Sequence, residues 1–260
     1  MSKNTTALFG AATPVAVPAE AATDQAAIDQ AFEALKAYGH GSSRGPLMPI
    51  DDAVRTPVGQ AAARRELERR LLAALKGRVS PVAKEYVCAK LGLIGSAASV
   101  STLAELLTDN ELADAARSAL EALPGPEALK ALRDSLPKLV GRQKAGVINS
   151  LGIRRDARGV AVLASLLPDS DNAIAGAAAA ALGNIGTVKA ARSLLRFQPK
   201  APGAIRLLLA DACLACAERL MTDGNKAEAL AVYKALTDSD QPKQVRQAAS
   251  HGLSLAAPKN

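Results

Sequence analysis

Four leucines set the terms for this chain. Leu91, Leu120, Leu151 and Leu182 stand 29, 31 and 31 residues apart, and their surroundings recur with them. Glycine follows three of them, as Gly92, Gly152 and Gly183. Five residues after each leucine stand Ser96, Gly125, Asp156 and Thr187, all types that favour the residue before a helix. Pro126 follows Gly125, where a helix start tolerates the missing N–H. Val100, Leu129, Val160 and Ala191 come next, then Leu103, Leu132, Leu163 and Leu194 three residues on. That spacing continues to Leu106, Leu166 and Phe197, with Leu136 one place later in the second unit, so each unit ends in a short helix with one apolar face. The helix before it carries a face of its own, as in Val87, Leu91 and Ile94. A helix pair of this size cannot bury both faces alone, and stacked neighbours make the core continuous.

Composition agrees with closely packed helices. The 260 residues are rich in Ala and Leu, and aromatic residues make up 2% with no Trp. A β-rich core would lean on aromatic and β-branched residues. No run of apolar residues reaches the ~18–20 needed for a membrane span.

The pattern outside the repeats divides the chain. Residues 1–23 form an Ala/Pro leader. Lys3 and the apolar run Ala7–Val17 resemble a weak export signal, with Val17-Pro18-Ala19 as its cleavage site. Gly10, Pro14 and Pro18 break that run, which favours a flexible leader and a cytoplasmic protein, with export as the alternative. Residues 24–79 read as a helical cap, with helices from Asp24 to Tyr38 (Thr23 capping it) and from Gln60 to Lys76. The repeats occupy 80–198. After Phe197 the pattern changes, and residues 199–260 read as a helix from Pro202 to Met221, a turn at Asp223-Gly224, a helix over Lys226–Leu236 and a capping helix over Pro242–Ala256. Pro258-Lys259-Asn260 should fray.

The units Leu91-Gly92-Leu93-Ile94-Gly95 and Leu182-Gly183-Asn184-Ile185-Gly186-Thr187, each followed by Val/Ala-x-x-Leu-x-x-Leu/Phe, resemble the short HEAT repeats of bacterial proteins, of the phycobilin-lyase-like kind. The front segment, with Arg44, Pro46-Leu47 and Ile50-Asp51-Asp52-Ala53-Val54, is similar to the opening of a subgroup of such proteins. Ala217, Gly224, Ala229, Leu230, Tyr233 and Leu236 resemble a tetratricopeptide helix pair. The resemblance implies an all-α, right-handed α–α solenoid of HEAT-like repeats. It says little about activity, because fold does not imply function.

Reactive chemistry is sparse. His40 lies in a Gly/Ser loop and His251 on a helix, and neither has a His or Cys neighbour at metal-ligand spacing. The His-Glu pairs used by di-iron hydroxylases of HEAT type are missing. Cys213-Leu214-Ala215-Cys216 has Ala217 where haem attachment needs His, and it lies mid-helix rather than at a helix start. Cys213 and Cys216 therefore read as small buried residues. Ser42 and Ser43 have only His40 nearby as a base, and Gly39, Gly41 and Gly45 follow no strand, so neither a hydrolase nor a nucleotide loop is indicated. No catalytic, cofactor-binding or metal residue is assigned.

The net charge of +7 allows an acidic partner, although much of the surplus is scattered along the chain, which also suits plain solubility. One substitution stands out. Arg154-Arg155 replaces Ile94-Gly95, Leu123-Pro124 and Ile185-Gly186 of the other units. With Arg142, Lys144 and Arg158 it forms a candidate basic patch at one edge of the solenoid. The competing reading is structural: arginine stems cover apolar surface while their heads meet carboxylates such as Asp156 or Asp169. Arg64, Arg65, Arg69 and Arg70, interleaved with Glu66 and Glu68, read as a solvated helix face.

The function expected from all this is a non-enzymatic scaffold that binds a protein or peptide on the surface made by each unit's second helix. Nucleic-acid binding is the first alternative, since some alkylpurine glycosylases are built from HEAT-like repeats. Handling of a tetrapyrrole, implied by the repeat type alone, is the second.

Overall fold

The computed structural model describes residues 19–55, 61–238 and 240–256. Among them there are fourteen α-helices and no strand. The leader up to residue 18 and the final Pro258-Lys259-Asn260 lie outside the described residues. The helices α1 (Ala19–Lys36), α2 (Met48–Arg55) and α3 (Ala61–Lys76) form the cap region. Since α1 starts at Ala19, Thr23 lies inside it and does not cap it.

The repeats alternate between two layers. The first holds α4 (Pro81–Ile94), α6 (Ala113–Ala122), α8 (Gly141–Ile153), α10 (Asn172–Ile185) and α12 (Gly203–Thr222). The second holds α5 (Ala97–Glu105), α7 (Pro126–Ser135), α9 (Val160–Ser165), α11 (Val188–Phe197) and α13 (Lys226–Ala235). Each first-layer helix packs on the next in that layer, α9 packs on α11, and α11 packs on α13. The chain is an all-α solenoid. The final helix α14 (Lys243–Ala256) covers α12 and α13, with Gly252 so close to Tyr233 that an added Cβ would sit 2.5 Å from the ring.

All four column leucines are fully buried, each worth about 1.5–3 kcal/mol of transfer free energy. The glycine after the leucine lets the next helix come close. A Cβ on Gly152 would stand 2.7 Å from Ala181 Cα, and one on Gly183 would stand 2.7 Å from the Ala212 carbonyl oxygen. Ala181 and Ala212 each precede the next column position, which extends the series to Cys213. The stack therefore does not change after Phe197: α12 and α13 continue the two layers in register.

Two expected details differ. At the end of the second-layer helices the buried residues are Leu107, Leu136 and Leu167, while Leu106 and Leu166 are half-buried. A 3-10 turn over Leu106–Thr108 and another over Leu136–Lys138 tighten the chain and turn the later leucine inward. Of the four expected caps, Ser96 accepts from Ala98 N–H and Thr187 from Ala190 N–H. Gly125 fills its place with a φ of 91°. Asp156 caps nothing; it is buried in an ion pair with Arg133, with Nη1 and Oδ2 2.5 Å apart.

Candidate functional site

The five basic residues singled out above do not converge. Arg142 and Lys144 start α8, whereas Arg154, Arg155 and Arg158 follow its end, about 18 Å away at 1.5 Å per residue. Four of the five are also engaged. Arg142 pairs with Asp114 at 2.5 Å, and Lys144 with Asp169 at 3.6 Å. Arg154 reaches back to the open end of α6 and donates to the carbonyls of Glu121 (2.9 Å), Leu123 (2.5 Å) and Gly125 (3.3 Å). Arg155 reaches forward, donating to the Ile185 carbonyl at the end of α10 and pairing with Asp223. These arginines answer the free carbonyls and partial negative charge of helix C-termini. Arg155 does so from a left-handed backbone, φ 50°, at the place where the next unit has Gly186 with φ 63°. Only Arg158 is exposed with no ion pair among the described residues.

The α3 arginines are not merely a solvated face either. Arg64 donates to the Leu93 and Ile94 carbonyls at the end of α4. One helical turn later, the buried Glu68 accepts from Ser96 N–H, Ser96 Oγ and Ser99 Oγ at the start of α5. A cation thus meets the carbonyl end and an anion the N–H end of one turn. Arg70 lies over the Phe32 ring and pairs with Asp29, and only Arg69 with Glu66 forms the expected surface pair.

A buried polar cluster locks the cap to α4. Asp51 lies 2.6 Å from Lys90 Nζ, 3.1 Å from Arg44 Nε and 2.9 Å from the Tyr86 hydroxyl. Burial pushes the Asp51 carboxyl up, but the hydrogen bonds from Lys90 and Tyr86 and the charges of Lys90 and Arg44 outweigh it and hold it below the usual range. The same burial and the Asp51 charge push the Tyr86 hydroxyl far up. The cluster's groups are spent on one another.

The loop serines are hydrogen-bonded and the cysteines are buried. Ser42 Oγ accepts from Gly39 N–H and Ser43 Oγ from Gly45 N–H. His40 and His251 are both exposed. Cys88, Cys213 and Cys216 are fully buried free thiols, and burial pushes each up to about 12. Among the described residues no three His, Cys, Asp or Glu side chains gather as metal ligands. No helix among them is long and apolar enough to cross a membrane. A shallow cleft of about 230 Å³ opens in the second layer between α7 and the turn before α9, lined by Pro126, Leu129, Arg133, Arg155, Asp156 and Arg158.

A cationic surface without ion pairs among the described residues was missed by sequence reading. From Asn172 to Ala210 the chain contains no Asp or Glu and five cations: Lys189, Arg192, Lys200, Arg196 and Arg206. This stretch carries a local net charge of +5 with no acid to offset it. Lys189, Arg192 and Arg196 are exposed on α11, opposite its buried Ala190, Ala191 and Leu194. Lys200, also exposed, follows in the 3-10 turn Gln198–Lys200. None of these four pairs with a carboxylate among the described residues. Their signal in the sequence was the absence of acids over many residues, not a substitution at one repeat position.

No family model matches the chain, and no curated protein matches it. Solved structures do. A crystal structure of an engineered protein matches with 20% identity over 80% of this chain and 96% of the other, with a TM-score of 0.39. Human deoxyhypusine hydroxylase in complex with glycerol matches with 16% identity over 91% of this chain and 98% of the other, with a TM-score of 0.37.

Proposed function

We propose that this protein is a non-enzymatic interaction scaffold that holds a protein partner on its second-layer helices. The resemblance of its units to bacterial HEAT repeats belongs to the same reading. The observation that carries it is the line of cations on α11. Arg64, Arg154 and Arg155 close helix ends and Arg133 joins repeats. Lys189, Arg192, Arg196 and Lys200 stand outward with no internal partner. Their side chains bring positive potential to a surface that the stack itself does not use.

The test is co-purification at native levels from the cells that make the protein. The wild type should retain a protein in fixed ratio through gel filtration. The Lys189→Glu/Arg192→Glu/Arg196→Glu variant should lose it while melting like the wild type. A wild type that emerges alone defeats the proposal. The acid-free stretch also supports the nucleic-acid reading, and co-elution of nucleic acid with no protein would establish that reading instead.

A further inference from the structure

We infer that the occupant of the α11 ridge is an acidic protein segment in which carboxylates alternate with apolar side chains. This rests on the scaffold reading and names its partner's chemistry.

Spacing is the first argument. Lys189, Arg192 and Arg196 lie at i, i+3 and i+7, within about 60° of one another around the helix. They rise about 4.5 and 6 Å, and Lys200 follows in the 3-10 turn Gln198–Lys200. In an extended peptide, side chains on one face recur about every 6.6 Å. Carboxylates at alternate residues are spaced about 2 Å and about 0.6 Å wider than these two steps, differences that the long Lys and Arg side chains span.

The flanks supply the second. Half-buried Val188, Leu195 and Phe197 border the cations on α11 and pack on the core with one side only. They offer apolar contact to the residues between the carboxylates. The neighbouring helix α9 carries no charged residue, so the helix itself presents no carboxylate to an acidic chain.

The third argument separates this partner from nucleic acid. Binding of single strands relies on exposed aromatic platforms. Tyr38 and Tyr86 belong to the cap region's contacts, Phe32 lies under Arg70, Tyr233 lies under α14, and Trp is absent, so that among the described residues half-buried Phe197 is the one ring beside the ridge, where successive bases would need several. A duplex binder typically neutralises about 6–10 phosphates along a continuous track. Here the track ends at α9, and on α7 Lys130 is already paired with Asp134.

The full chain is titrated against a fluorescent peptide that alternates glutamate with alanine and leucine. Two further probes are its glutamine counterpart and a single-stranded oligonucleotide of equal charge. The glutamate peptide should bind, more weakly as salt rises, and the glutamine peptide should not. Reversing Lys189, Arg192 and Arg196 to Glu should cost about tenfold or more in affinity, the ratio that ~1.4 kcal/mol represents. A second variant, Arg65→Glu/Lys76→Glu/Arg78→Glu, makes the same change in net charge on exposed residues outside the ridge and should bind as the wild type does. Equal loss in both variants, equal binding of the glutamine peptide, or tighter binding of the oligonucleotide would each overturn the inference. If the peptide fails while the native protein complex survives the ridge variant, the scaffold stands and its partner docks elsewhere.

Discussion

Gly183 against Ala212 and Glu121 against Ser150 occupy the same two columns of the repeat, yet they join the first layer in opposite ways. At the α10–α12 joint, glycine brings the helices so close that a Cβ would press on backbone atoms of the partner. At the α6–α8 joint, the glycine is replaced by Glu121 and the alanine by Ser150. Ser150 Oγ lies 2.6 Å from Glu121 Oε2, and Arg117 Nη1 reaches both, at 3.2 Å to the carboxylate and 2.9 Å to the hydroxyl. Next to this joint, in the second layer, lies the cleft between α7 and α9, bridged by Arg133 and Asp156. Stability in a repeat stack is the sum of unit and joint terms, so joints of different chemistry fail under different stresses. Dispersion and close approach secure one joint; desolvated charge and hydrogen bonds secure the other.

The largest effect is expected at the bridge. Arg133→Met removes the one cation that pairs with Asp156 among the described residues and leaves a buried carboxylate unpaired, at a cost of about 3–5 kcal/mol in urea denaturation. A cost under about 1 kcal/mol would show that the pair does not hold the second layer together. Gly183→Ala comes next, at about 1–3 kcal/mol, because the methyl group meets backbone that cannot rotate away. If this variant melts like the wild type, the close approach is not what secures the later joint. The smallest effect sharpens the comparison most. Ser150→Ala alone should cost about 1 kcal/mol by taking a partner from Glu121 and Arg117. Glu121→Gly with Ser150→Ala restores the small-residue pair found elsewhere, and the double variant should return close to the wild type. Additive losses would mean that the two residues do not act as one joint.

The leucine column was legible because burial of one large residue type repeats at a fixed interval. Its continuation at Cys213 was not, since a thiol fills that place and the following residue is Leu214 rather than glycine. The two-layer order followed from the helix periods, and the joints' chemistry did not. Asp156 sits where a cap is expected and instead meets Arg133, 23 residues earlier in the chain, a pairing no local pattern encodes. Arg154 and Arg155 stood out correctly as a departure from the repeat, but adjacency in sequence said nothing about direction. One reaches back a repeat and the other forward. The grouping with Arg142 and Lys144 ignored the length of the helix between them. The ridge on α11 escaped because each cation is ordinary in its own unit, and only the long silence of acids marks them.

The three thiols turn this stack into its own clock. A thiol pushed to about 12 and sealed from water is inert to alkylating reagents until the helix over it lifts. Cys88 stands in α4 near one end of the solenoid, and Cys213 and Cys216 in α12 near the other. The order in which they are labelled in a native chain therefore records which end breathes first, and how often, without adding a probe to the molecule.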